Sequence, residues 1–275
     1  MKKLTLISIA LFTISIAFAQ ENPQVDAGAA PSDADALAKQ LQNPIASLIS
    51  VPFQGNFDFG YEPNDGSRVL VNIQPVIPVS ISKDWNLITR VILPVLSQTD
   101  VYGESGNQFG LGDAVISGFF SPKAPSSGGL IWGLGPVFSV PTATDNLLGS
   151  EKFGVGPTAV ALKQVGKVTV GFLVNHVWSV AGSDDRADIN NSFFQPFLAK
   201  NFPGGYAVNI NTELTQNWDA DATSGTINIG GSKVIVLGKQ RAQIAAGPRI
   251  PYGNGNNSDW GFRAQFTLLF PSGAK

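Results

Sequence analysis

Residues 205–217 read GYAVNINTELTQN. Successive side chains of an extended chain point to opposite faces. Tyr206, Val208, Ile210, Thr212 and Leu214 therefore share one side, and Asn209, Asn211, Glu213 and Thr215 share the other. The same period of two returns further on. Ala242, Ile244, Ala246 and Ile250 oppose Arg241, Gln243 and Arg249, and Phe262, Ala264, Phe266, Leu268 and Phe270 alternate with Arg263, Gln265 and Thr267. A charged side chain that faces lipid at mid-depth costs ~2–4 kcal/mol. Strands of this kind, if they cross a membrane, turn the polar face to an interior and the apolar face to lipid.

Working outward from these segments, the chain reads as twelve strands: 52–61, 68–80, 85–96, 110–121, 129–140, 153–164, 167–180, 191–202, 205–217, 225–237, 240–251 and 259–270. Each is near the ~9–11 residues that a tilted strand needs to span a bilayer, and an even count suits a single-chain bacterial barrel. The connections alternate. Residues 62–67, 97–109, 141–152, 181–190, 218–224 and 252–258 form a longer, polar and acidic set; 81–84, 122–128, 165–166, 203–204 and 238–239 form a shorter one. Long extracellular loops and short periplasmic turns are the mark of outer-membrane barrels. The expected fold is an all-β, antiparallel transmembrane barrel with both termini periplasmic. Tyr61, Trp178, Trp218, Tyr252 and Trp260 fall beside the long loops, and Trp85, Trp132 and Tyr206 beside the short turns, as two headgroup belts would require. The facing of 153–164, 191–202 and the Gly230-Gly231 region is left open, since a bulge there would reverse it.

The N-terminus carries an export signal: Lys2 and Lys3, an apolar run to about Phe18, then Ala17-Phe18-Ala19 as a cleavage box. Residues 1–19 are expected to be removed after Ala19. Residues 20–50 form a lead-in, and residues 36–50, with Leu37 four before Leu41 and Pro44 as a stop, read as a short helix able to plug the barrel. The barrel itself takes 51–275. With no Cys there is no disulfide framework or thiolate metal site. Two of the 18 basic residues lie in the leader against none of the 20 acidic ones, so the exported chain is net acidic and lacks a nucleic-acid footprint.

Catalytic chemistry finds little support. The single His, His176, is followed two residues later by Trp178, where outer-membrane phospholipases place a Ser. A strand-end role is favoured over catalysis. The acidic loops (Asp184, Asp185, Asp188; Asp219, Asp221; Asp145, Glu151) show no EF-hand spacing, and GLGD at 110–113 and GLGP at 133–136 do not open helices. No cofactor or metal is expected.

The inward faces carry the informative set: Arg68, Asn72, Gln74, Arg90, Asp113, Asn209, Asn211, Glu213, Arg241, Gln243, Arg249, Arg263 and Gln265, with Lys163 and Lys233 less firmly placed. Two readings carry equal weight. A basic lining attracts anionic solutes in a low-dielectric channel. Alternatively the arginines pair with Asp113 and Glu213 and fill a narrow lumen.

Several stretches, LAKQLQNPIASLISVPFQ (37–54), IQPVIPVSISKDWNLITRVILPV (73–95), GLGD (110–113), GLGPVFSVPTAT (133–144), LGSEKFGVGP (148–157) and NHVWSVAG (175–182), resemble the bacterial outer-membrane proteins grouped with the MetA pathway of phenol degradation. The resemblance runs from about Leu37 to Phe270. It implies an outer-membrane barrel for uptake of small, often aromatic or hydrophobic compounds, and transfers no substrate-contacting residue. The last strand also resembles the C-terminal signal read by the barrel-insertion machinery, although PSGAK follows the final Phe270. The expected function is a passive channel for small solutes, with outer-membrane lipid, lipopolysaccharide and the insertion machinery as partners. The alternative is a structural or adhesive barrel with a filled lumen and functional acidic loops.

Overall fold

The computed structural model describes residues 33–102 and 106–270. The signal peptide with its cleavage site, most of the lead-in and the PSGAK tail lie outside the described residues. One helix, α1 (Asp33–Leu41), precedes fourteen strand segments: β1 (Ile49–Tyr61), β2 (Gly66–Ile73), β3 (Val76–Ser80), β4 (Trp85–Thr99), β5 (Asn107–Leu111), β6 (Ala114–Pro122), β7 (Leu130–Val140), β8 (Lys152–Val165), β9 (Val168–Gly182), β10 (Asn190–Phe202), β11 (Tyr206–Asn217), β12 (Ala222–Leu237), β13 (Gln240–Tyr252) and β14 (Trp260–Phe270). β2 and β3 together make one stave of the wall, and so do β5 and β6, leaving twelve staves. Each pairs antiparallel with its sequence neighbour, and β1 pairs with β14 from Ile49↔Phe270 to Phe59↔Trp260, closing the barrel. Closure leaves no open edge, which is how an isolated sheet satisfies its backbone in lipid.

All twelve expected strands are present. Several extend past the reading on the long-loop side, as β4 does to Thr99, β9 to Gly182 and β12 back to Ala222. Their added residues are polar or small, so the apolar pattern that marks the span is silent there, while the backbone ladder continues. The two broken staves interrupt at Gln74-Pro75 and at Gly112-Asp113. Proline has no amide hydrogen to give the ladder, and Gln74 N bonds Pro52 O there instead.

The outer surface is apolar. Phe172, Phe194, Leu198, Val208, Ile210, Ile244, Ile250 and Phe262 are among many large side chains left exposed. Such a continuous band has no place in water but matches a hydrocarbon layer. Trp178, Trp218 and Trp260 are exposed at the loop end, and Trp85 and Tyr206 at the turn end. Trp85 packs edge-on against Trp132 at 5.8 Å. Tyr61 departs from the expected belt. Gly60, at φ +72°, makes a bulge between Phe59 and Tyr61, and the shift carries Tyr61 into the interior, where it is 5% exposed. Lys163 and Lys233 are corrected as well. Lys163 is exposed and pairs with the exposed Leu130 and Val170. Lys233 lies over the exposed Tyr206 ring at 4.4 Å, its Nζ 2.6 Å from the phenol oxygen. Both face outward near the turn end. Gly230-Gly231 does not reverse the facing: β12 keeps one register against β13 from Asn228↔Arg249 to Gly231↔Ala246.

α1 begins three residues before the expected helix. Asp33 and Asp35 occupy its first turn and Lys39 its last, a placement that complements the helix dipole. It packs against β10, β11 and β12.

Candidate solute path through the barrel

The interior has two unlike walls. On β4 and β6–β10 apolar side chains gather in a buried cluster, where Ile45 of the N-terminal segment joins Ile88, Phe119, Val160, Leu162 and Leu173, with Val76, Phe193 and Phe197 against it, while Ser117, Ser139, Asn175, Asn191 and Gln195 of the same strands line the interior toward the loops. On β11–β14 and β1 the inward side chains are polar or charged at mid-barrel, with Val234 and Leu269 apolar at the turn end. Two chambers lie between the walls, of about 480 Å³ toward the loops and about 260 Å³ toward the turns. They meet at Gln54, Gln74, Arg90, Leu173 and Gln195, which line both.

Ten of the thirteen expected residues line these chambers. Asn72, Gln74, Arg90, Asp113 and Glu213 face the upper one; Gln74 and Arg90 also face the lower one, with Asn209, Asn211, Gln243, Arg263 and Gln265. Arg249 is buried in the charged wall, Arg241 lies at the turn end, and Arg68 sits beside the chambers with its guanidinium 4.8 Å over the Tyr61 ring.

The arginines are not equivalent. Arg263 holds Glu213 with two bonds, Nη1 to Oε1 at 2.9 Å and Nη2 to Oε2 at 2.8 Å. Its Nε donates to Asn56 Oδ1 at 2.7 Å. Arg249 donates from Nε to Asp58 Oδ1 at 2.9 Å and lies 3.7 Å from Glu213 Oε2. Asn228 and Asn56 take further bonds from Arg249 Nη1 at 3.0 and 3.1 Å. A paired fork of this kind fixes both position and orientation. Arg90 differs: among the described residues its side chain bonds Gln74 alone, Nη2 to Oε1 at 2.7 Å, and no carboxylate lies within ion-pair distance.

At the turn end residues 33–48 pack against the inner wall. Leu37, Ala38 and Leu48 pack on Val234 and Leu269, and Ile45 enters the apolar wall. Polar contacts tether the segment to the rim: Arg241 Nη2 to Asp33 Oδ2 at 3.5 Å, Gly205 N to Asp35 Oδ1 at 2.7 Å, Gln164 Nε2 to Lys39 O at 2.9 Å and Asn86 Nδ2 to Ser47 Oγ at 3.0 Å. Arg241 thus binds this segment rather than the solute path.

At the loop end Asp113 is capped. It accepts from Ala143 N at 3.2 Å and from Ser150 N and Oγ at 2.6 and 2.7 Å, drawing residues 141–151 against the break between β5 and β6. Arg186 reaches Asn146 O and Gly149 O, and Lys152 pairs with Asp188 at 2.9 Å. Hydrogen bonds from Lys152 and then Ser179, with the Lys152 charge, hold the Asp188 carboxyl below its ordinary value. The loops therefore form a cross-tied crown.

His176 faces outward, in the belt. Its Nδ1 shares a 2.7 Å bond with Ser192 Oγ, which also accepts from Trp218 Nε1 at 2.9 Å. The ring lies 4.0 Å from that of Trp178. Ser192 stands on the neighbouring strand, a pairing the within-strand motif search does not reveal. No carboxylate orients the imidazole among the described residues, and the buried Nε2 has no partner there. The group serves to anchor three belt side chains.

The site residues missed from sequence include Gln54, Asn56, Asp58, Gln195 and Asn228. The signal for the first three is present: Phe53, Phe57 and Phe59 alternate with them.

No family model matches the chain, and no curated protein matches it. Among solved structures, the COG4313 outer membrane channel from Pseudomonas putida F1 aligns with a TM-score of 0.62 at 16% identity, over 88% of this chain and 100% of that one. Outer membrane phospholipase A from Escherichia coli aligns at 0.48 and 12% identity, over 87% and 98%. The first likeness, together with the closed twelve-stave wall and its apolar outer band, establishes the fold: the chain is a β-barrel of the outer-membrane type.

Proposed function

We propose that the protein is an outer-membrane channel for passive uptake of small solutes, and that it works without catalysis. The observation that carries this reading is the pair of chambers, joined at Arg90 and running between the loop crown and the plug. A polar wall facing an apolar one suits solutes that have both characters, which fits the group linked to phenol degradation. In this reading the short turns and both termini lie in the periplasm, the leader is cut after Ala19, and residues 33–48 gate the periplasmic mouth.

Conductance of the refolded mature protein in a planar bilayer tests it. Discrete steps are expected, larger when residues 33–48 are deleted. A deletion variant that is inserted and folded yet electrically silent would defeat the channel reading. It would leave the adhesive alternative, for which the ion pairs across the mid-barrel are the favourable observation.

A further inference from the structure

The lumen holds three guanidinium groups near its waist, Arg90, Arg249 and Arg263, against two carboxylates, Asp58 and Glu213. The bonds sort them. Both carboxylates are taken by Arg249 and Arg263. Asp113, the remaining carboxylate of the upper chamber, has its oxygens occupied by Ala143 N and by Ser150. Arg90 is the guanidinium of the three that no carboxylate holds in an ion pair.

Arg90 also stands on the wall that carries the apolar cluster. It lies between Ile88 and Ile92 in the inward row of β4 and faces both chambers, whereas Lys152, the buried cation of β8, is paired with Asp188. A guanidinium has five N–H donors in a planar fork that matches a carboxylate. The bond to Gln74 uses one of them. In the chamber above Arg90, Ile92, Val115, Leu173, Val177 and Phe193 form an apolar strip among polar residues that include Asn175, Asn191, Asp113 and Glu213. At about 480 Å³ that chamber falls within the size range of small-molecule sites. A uniformly polar solute would leave that strip in poor contact, and a neutral apolar one would leave the charge unanswered.

We propose that Arg90 and this apolar lining form a binding site for a monoanion with an apolar body, a small aryl or alkyl carboxylate. The carboxylate docks on the Arg90 fork and the body lies along Leu173, Val177 and Phe193. This deepens the channel reading by naming a solute class, but the site itself does not require that solute cross the barrel.

The test is titration calorimetry of the full mature chain in micelles with benzoate, and with benzamide as its uncharged counterpart. Benzoate should bind and benzamide should bind at least about tenfold more weakly, since the charge-assisted fork is lost. Arg90→Gln should remove that preference, Arg90→Lys should keep much of it, and Arg241→Gln should change nothing. Phe193→Ala should weaken benzoate more than acetate. Heat-modifiable migration on gels confirms that each variant is folded. Equal binding of benzoate and benzamide, or full benzoate affinity in folded Arg90→Gln, would overturn the site. Liposome swelling with glycerol is measured in parallel, so that a barrel that conducts glycerol without preferring benzoate refutes this site alone, and one that binds benzoate without swelling refutes only the channel.

Discussion

Arg263 on β14 and Glu213 on β11 meet through two parallel hydrogen bonds across the interior, although two staves separate them in the wall. The pair straps one side of the lumen to itself, and Arg249 is drawn into the same carboxylate. Removing Glu213 would therefore free the Arg263 guanidinium from its carboxylate and leave Arg249 with Asp58 alone. Glu213→Gln should shift the reversal potential in a KCl gradient toward anion preference. It should also destabilise the barrel, toward the ~3–5 kcal/mol seen when one partner of a buried pair is lost, less where lumen water reaches the charges. An unaltered reversal potential would show that the pair does not face the conducting path.

The plug offers a cleaner intervention because the chain has no cysteine. Ser47 and Asn86 touch through their side chains at 3.0 Å, so the double variant Ser47→Cys, Asn86→Cys should oxidise to a tether. Conductance is expected to fall on oxidation and recover on reduction. Recordings indifferent to the redox state would place the gate elsewhere. Ile45→Ala, which empties a buried place in the apolar wall, should loosen the segment by about 2–4 kcal/mol, visible as more frequent opening.

Much of this was legible in the chain. The barrel followed from alternation in 205–217, 240–251 and 259–270, where polar and apolar faces are cleanly divided, and from the sorting of loops by length. It was less legible on β8 and β10, and the structure shows why. Their inward residues, such as Val160, Leu162, Phe193 and Phe197, belong to the apolar wall, so both faces are apolar and the period of two fades. Lys163 and Lys233 misled because a cation on a strand reads as inward, whereas near a strand end it faces the headgroup layer. The sorting of the arginines was beyond sequence reading. Arg249 reaches Asp58 across 191 positions, and only closure of β1 on β14 brings the two together.

The crown should depend on Asp113. Asp113→Ala removes an acceptor of three bonds, and the amides of Ala143 and Ser150 should exchange with deuterium at least about tenfold faster, in keeping with the loss of charge-assisted bonds worth ~1.5–3 kcal/mol each. Unchanged protection would mean that Thr142 and Thr144, which also bond the strand break, hold the loop unaided.

The Lys152–Asp188 tie gives the crown an acid limit. The Asp188 carboxyl is held below its ordinary value in the folded state, first by the hydrogen bonds from Lys152 and Ser179. Its support is therefore present above the unfolded aspartate value, near 3.9, and is lost as pH falls through the lower folded one. Carboxyl NMR should find Asp188 still ionised at about pH 3.9, where a free aspartate side chain is half-protonated. Lys152→Met should return it to the ordinary range; a titration unmoved by that change would assign the shift to Ser179 alone.

Leu37, Ala38 and Leu48 rest on Leu269 of β14 and on Val234 of β12, so the first of the described residues are seated by residues far along the sequence. During synthesis and insertion that seat does not exist. The segment has nothing to dock on until β14 has come round to β1. In the proposed channel, sealing would thereby report that the wall is complete, and a barrel halted one hairpin short would be unsealed as well as unfinished.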